Sequence, residues 1–185
     1  MSVCGLVGKN AEQKAAFRAL IDPRYKLILI DGGLGTGKTI MSTASAVHIA
    51  NGKTKDNINR IIISRSLNNK GMGYLPGTEF DKAKPFLGGF FCSASEIDMI
   101  NGRQADVVNM FNPEHKDCVV SVQPLDTIKG CSFSQSVMML DEAEDCTLKE
   151  LRMFIGRCGR DSKVIIMGDL LQKDDEDNMG FDMLL

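Results

Sequence analysis

The chain contains no tryptophan, and its aromatic side chains amount to nine phenylalanines and two tyrosines. So few flat rings argue against a surface that holds nucleic acid mainly by stacking bases. Long apolar runs are missing too. None approaches the ~20 residues that a membrane span requires, so no membrane partner is expected. The opening Met1-Ser2-Val3-Cys4 has no basic segment leading into an apolar one, and a secretory signal is not expected. Six cysteines, at 4, 92, 118, 131, 146 and 158, form no C-x-x-C pair, and neither His48 nor His115 has a ligand partner at metal-binding spacing. Reduced, mostly buried thiols in a cytoplasmic protein are the expectation. A net charge of −2 exerts no global pull on a polyanion, so nucleic-acid binding would need a local patch. There are no internal repeats.

What is present fits one ordinary globular domain: 185 residues, 43% hydrophobic and 25% charged, enough to bury a core unaided. Strand and helix signals alternate. Helical spacing from Ala15 to Leu20 stops before Pro23, and Leu27–Ile30 reads as a buried strand followed by a helix over Ile40–Ala50. Ile61–Ile63 reads as a second strand ending at Ser64-Arg65, and Gly71–Gly77 as a glycine-punctuated loop. Residues 79–111 look helical with breaks at Pro85 and Gly88-Gly89. Val119–Val122, Val137–Leu140 and Lys163–Met167 complete five strand candidates, with a helix over Thr147–Arg157 before the last. The acidic run Asp174–Asp177 reads as a solvated loop. This order predicts an α/β fold with a mainly parallel central sheet flanked by helices. Ligands of such sheets bind beyond the carboxyl ends of the strands, where loops 32–39, 64–66, 141–144 and 168–172 would gather.

The most informative segment is the first of those loops. Gly32, Gly33, Leu34, Gly35, Thr36, Gly37, Lys38 and Thr39 fit G-x-x-x-x-G-K-[ST], the phosphate-cradling P-loop, between a strand and a helix as that loop requires. Its glycines let backbone N–H groups converge on phosphate oxygens, and the following helix turns its positive end to the same anion. Lys38 is expected to reach the β- and γ-phosphates, and the Thr39 hydroxyl to ligate Mg²⁺. Four apolar residues then lead into Asp141-Glu142. Asp141 at a strand end suits the metal, and Glu142 suits a general base that polarises water. A base at this position distinguishes hydrolysis from phosphoryl transfer to a bound acceptor. In Gly168-Asp169-Leu170-Leu171-Gln172, Gln172 is a candidate to orient the water or sense the γ-phosphate, with Asp169 linking it to the metal.

These segments together resemble the PhoH family of cytoplasmic ATPases, related to superfamily 1 helicase cores. The resemblance covers nearly the whole chain. It runs through Ser64-Arg65-Ser66, Gly73-Tyr74-Leu75-Pro76-Gly77-Thr78, Lys129-Gly130-Cys131-Ser132-Phe133 and Leu140-Asp141-Glu142-Ala143-Glu144. It continues through Leu151-Arg152-Met153-Phe154-Ile155-Gly156-Arg157 and Gly168-Asp169-x-x-Gln172. It implies a single RecA-like P-loop NTPase domain over residues 1–185, with ATP and Mg²⁺ as cofactors. RNA or single-stranded DNA is an implied partner. Gln13 falls where such proteins carry a glutamine that reads the adenine edge; a solvent-facing helix glutamine is the alternative. Cys131 stands where the family has arginine, which removes one basic contact. Glu144 stands where it has glutamine, which brings an anion near the catalytic water. Members continue past Gln172 to a further strand and an Asp-x-x-Arg segment, so the chain reads as a shortened or viral member.

The resemblance thus implies an Mg²⁺-dependent ATPase. The alternative is a nucleic-acid-binding module that uses ATP as a conformational switch, with Lys53, Lys55, Arg60, Arg65 and Lys70 as its basic face. Arg157 is the leading candidate for an arginine finger, with a surface ion pair as the alternative. Family members form rings, which implies a homo-oligomer, a hexamer favoured, with Arg157 or Arg160 facing a neighbour's ATP.

Overall fold

The computed structural model describes residues 2–53, 57–65, 79–102, 106–112, 114–173 and 179–185, with backbone alone at 53, 79–86 and 126. Lys55, Ser66, Lys70, the loop through Gly73–Thr78 and the acidic run Asp174–Asp177 lie outside the described residues.

A five-stranded sheet organises the chain, in the order β3-β7-β6-β4-β5, with every pairing parallel. Its strands are β3 (Leu27–Asp31), β4 (Arg60–Arg65), β5 (Val120–Val122), β6 (Ser136–Asp141) and β7 (Lys163–Gly168). The central strands are apolar on both sides, as a sheet covered on both faces demands. Period-2 alternation divides them between two cores. Ile61, Ile63, Val137, Met139, Ile165 and Met167 face one, and Ile62, Met138, Leu140, Val164 and Ile166 the other.

The first core is closed by α1 (Ala11–Ile21), α2 (Lys38–His48), α3 (Glu79–Ile100) and α4 (Val107–Phe111). The second is closed by α5 (Leu148–Ile155) with Phe133 and Phe181. A capping box joining Thr147 and Glu150 starts α5. At the far end of α1, the buried Lys163 ammonium donates to the carbonyls of Leu20 and Asp22 at 2.6 and 2.8 Å. This cation on the helix's terminal carbonyls fixes α1 to the start of β7.

Two local expectations need correction, and one element was not anticipated. The helix α3 runs unbroken through Pro85 and Gly88-Gly89. Leu87, Phe90, Ala94 and Ile97 are fully buried along it, and their packing outweighs the ~1 kcal/mol each that glycine costs in a helix. The break falls instead after Ile100. An antiparallel pair of two-residue strands, β1 (Ser2–Val3) and β2 (Leu6–Val7), precedes α1 and gives too short a pattern to read from sequence. It is anchored by the Cys4 thiol on the Ala44 carbonyl and the Asn101 amide on the Cys4 carbonyl. Lastly, the six cysteines form no disulfide with one another, and against the expected mostly buried thiols only Cys146 is buried and Cys92 is exposed.

Candidate nucleotide-binding site

Parallel register brings the carboxyl ends of four strands level. Asp31 of β3 pairs with Gly168 of β7, and Arg65 of β4 with Asp141 of β6. The loop after β3 continues the ladder by one bond, from the Gly32 N–H to the Gly168 carbonyl at 3.3 Å. A cleft of about 300 Å³ opens there. Gly33 to Ile40 form one wall, and Asp141, Glu142, Glu144, Gly168 and Gln172 the other.

The loop is built as a phosphate cradle. Gly35 and Gly37 have φ of +72° and +90°, the left-handed region that side chains with a Cβ avoid, and a Cβ on Gly35 would meet no atom within 4 Å. The Thr36 hydroxyl closes the turn on the Gly33 carbonyl at 2.7 Å, and α2 begins directly at Lys38. The Lys38 ammonium folds over its own loop, donating to the carbonyls of Gly32 and Gly33. Beside it, the Gln13 amide donates to the Thr36 carbonyl at 3.0 Å and accepts from the Lys9 N–H at 2.7 Å. Gln13 therefore braces the cradle, with one N–H and one lone pair left over.

The opposite wall is acidic. Burial pushes the Asp141 carboxyl above its usual range, with Arg65 and Lys38 pulling it back. Thr39 and Asp141 offer a hydroxyl and a carboxylate, hard oxygen donors of the kind Mg²⁺ takes, and a divalent cation would offset the strain of an anion held at this depth. Glu142 follows with φ of +55°, and its side chain turns toward β4, where the Arg65 guanidinium takes both carboxylate oxygens. Asp169 is nearly buried, accepts from the Leu171 N–H at 3.1 Å and from the Gln172 amide, and is held below the usual range first by that Gln172 bond. Asp31 accepts from the Leu170 N–H at 3.2 Å, which ties the β7 loop to β3.

Glu144 is only 6% exposed and accepts the Asp169 N–H at 3.1 Å. Burial raises its pKa, against its own N–H and that of Asp169. Glu144→Gln keeps the accepting oxygen and removes the buried charge. It should raise the melting temperature at pH 7 by the roughly 2–4 °C that ~1 kcal/mol is worth at this chain length. A raised folded pKa means the native state binds more protons, so the parent loses stability as pH climbs from its unfolded value through the folded one. The variant's advantage should therefore fade as pH falls through that window, which melting curves across pH would check.

Two further contacts frame the site. A Cβ on Gly168 would lie 2.5 Å from the Phe181 ring and 3.0 Å from a Glu144 oxygen, so the buried Phe181 locks the C-terminal turn beneath the β7 loop. Arg157 stands apart from the cleft, its guanidinium donating to the carbonyls of Met153 and Cys131. Arg60 and Arg65 occupy opposite ends of β4, roughly 16 Å apart, so they do not form one basic face. The residue that sequence reading missed is Arg65 as the partner of Glu142. The available signal was an arginine at a strand end, but only the β4–β6 pairing puts that end beside Asp141.

The fold and this cradle define a single α/β P-loop NTPase domain. A family model described as PhoH-like protein matches residues 6–183, and the chain belongs to that family. It is 33% identical over 150 residues to the PhoH-like protein of Mycobacterium tuberculosis, covering 77% of this chain and 38% of that one. It is 27% identical over 182 residues to Protein PhoH2 of Bacillus subtilis (93% and 38% covered), and 29% over 175 residues to that of Thermobispora bispora (93% and 38%). The chain thus spans about two-fifths of the length of these relatives.

Proposed function

We propose that the domain binds ATP with Mg²⁺ and hydrolyses the β–γ phosphoanhydride, in a cycle coupled to RNA or single-stranded nucleic acid. One observation carries this reading: the P-loop faces Asp141 and Glu142 across a single cleft. Gly33 to Gly37 would wrap the phosphates with N–H groups, and Lys38 would exchange its loop carbonyls for phosphate oxygens. Thr39 and Asp141 would hold Mg²⁺, which when bound neutralises charge on the β- and γ-phosphates. Glu142 would take the proton of the attacking water. Gln172, held by Asp169, would meet the γ-phosphate side, and Gln13 would present its spare N–H and lone pair to adenine. Among the described residues no helix is long and apolar enough to cross a membrane, and a cytoplasmic setting suits thiols not joined in disulfides.

Phosphate release from ATP, with and without poly(U), tests the reading. Tight binding with negligible turnover in both arms would instead favour a nucleic-acid module that uses ATP as a switch.

For Arg157 to act, it must leave the Met153 and Cys131 carbonyls and reach ATP held by another copy. We propose a head-to-tail homo-oligomer, hexameric by family resemblance, with Arg157 or Arg160 at the joint. Turnover per chain should then rise with protein concentration. Mixing Arg157→Ala with Lys38→Ala chains should restore part of the activity that each lacks alone. A monomer by sedimentation that is fully active at nanomolar concentration would exclude a finger supplied in trans.

A further inference from the structure

The Arg65–Glu142 pair joins the group best suited to activate water to a cation that does not line the nucleotide cleft. Glu142 borders the cleft, but both its carboxylate oxygens face the guanidinium. In that position one lone pair of each oxygen is taken by Arg65, which lowers the carboxylate's basicity and fixes its direction away from a water beside the γ-phosphate. The backbone contributes to the arrangement. Glu142 adopts φ +55° and ψ +47°, uncommon for a residue with a side chain, and the 3₁₀ turn Ala143–Asp145 begins there.

The pair is also open to competition. Its side chains are 36% and 39% exposed, and ion pairs this accessible are weakly held. A guanidinium fork fits a phosphate as well as it fits a carboxylate, with the same two parallel bonds. A phosphate reaching Arg65 would therefore displace Glu142 by occupying the same donors.

We infer that Arg65 is a positioning residue that restrains Glu142, and that a phosphate group binding to Arg65 releases the carboxylate for catalysis. This rests on the hydrolytic reading above. Because Arg65 lies outside the cleft wall and is reachable from solvent, a backbone phosphate of single-stranded nucleic acid is the favoured source. The γ-phosphate of the bound nucleotide is the other. The pair would thus make turnover conditional on a polyanion.

The test compares parent chain, Arg65→Gln and Arg65→Lys for ATP affinity by calorimetry and for turnover with and without poly(U). Without poly(U), Arg65→Gln should turn over about tenfold faster than the parent, a part of the ~10²–10⁴ a general base supplies. Its ATP affinity should stay within about twofold, since Arg65 does not line the cleft. Poly(U) should stimulate the parent and not this variant. Activation of the variant with no poly(U) effect on the parent would keep the restraint but overturn the nucleic-acid phosphate as what relieves it. Turnover of Arg65→Gln at or below the parent's, with ATP bound equally well, would overturn the inference. If circular dichroism finds that variant unfolded, Arg65→Lys gives the reading. It keeps the charge but loses the fork, so its unstimulated rate should exceed the parent's, and a rate at or below it overturns the inference. No turnover by any of the three proteins with ATP bound would remove the hydrolytic reading and the restraint with it.

Discussion

Lys38→Ala should weaken ATP binding by about 10–100-fold or more, the loss of a charged hydrogen-bond donor aimed at phosphate. Lys38 is the cradle's sole side-chain cation, and Arg65, the other cation that acts on Asp141, is paired with Glu142. Calorimetric titration would check this, and unchanged affinity would remove the nucleotide reading. Because the ammonium also bridges Gly32 and Gly33, a melting curve should accompany the titration to separate lost binding from a loosened loop. Gln13→Ala in the same titration probes the base instead: a loss of preference for ATP over GTP supports adenine reading. Equal losses for both would leave only the brace on Thr36.

Glu142→Gln should have the opposite profile, with ATP still bound and turnover reduced by ~10²–10⁴, because an amide cannot accept the water's proton. The isosteric change keeps one oxygen for Arg65, so the turn at Glu142 should persist. Stopped-flow phosphate release at saturating ATP and poly(U) measures it, and turnover within a few-fold of the parent would transfer the base role elsewhere. The two variants fail at different steps, one at binding and one at chemistry.

The parts of the molecule that sequence reading recovered are those in which local pattern and tertiary role coincide. Ile61–Ile63 and Val137–Leu140 read as buried strands because they are short, β-branched or apolar throughout, and apolar side chains on both faces need cover from both sides. The cradle is equally legible, since Gly35 and Gly37 appear where the backbone must take positive φ. Reading failed where a distant element decides the outcome. Gly88-Gly89 looked like a break because the helical partner supplying the packing energy, α2, lies some forty residues earlier. Arg65 was read as part of a basic face and of a loop at the strand ends, but not as Glu142's partner, because that partner comes 77 residues later, on a strand whose adjacency depends on crossover order. Arg157 was expected to end the helix begun at Thr147, but α5 stops at Ile155, and in the folded chain Arg157 lies in the turn beyond it and donates to carbonyls of its own domain.

The two ends of the chain are unequal as points of attachment. The last turn, Met179 to Leu185, bonds to itself through the Phe181 carbonyl while the Phe181 ring underlies Gly168. A fusion partner or surface linker joined at Leu185 would pull on the floor of the loop that carries Asp169 and Gln172. The other end is tethered at Ala44, about 9 Å along α2 from Lys38, with no side chain of residues 2–7 lining the cleft. Immobilisation or labelling through the amino end should therefore preserve the kinetics that the same handle at the carboxyl end would distort.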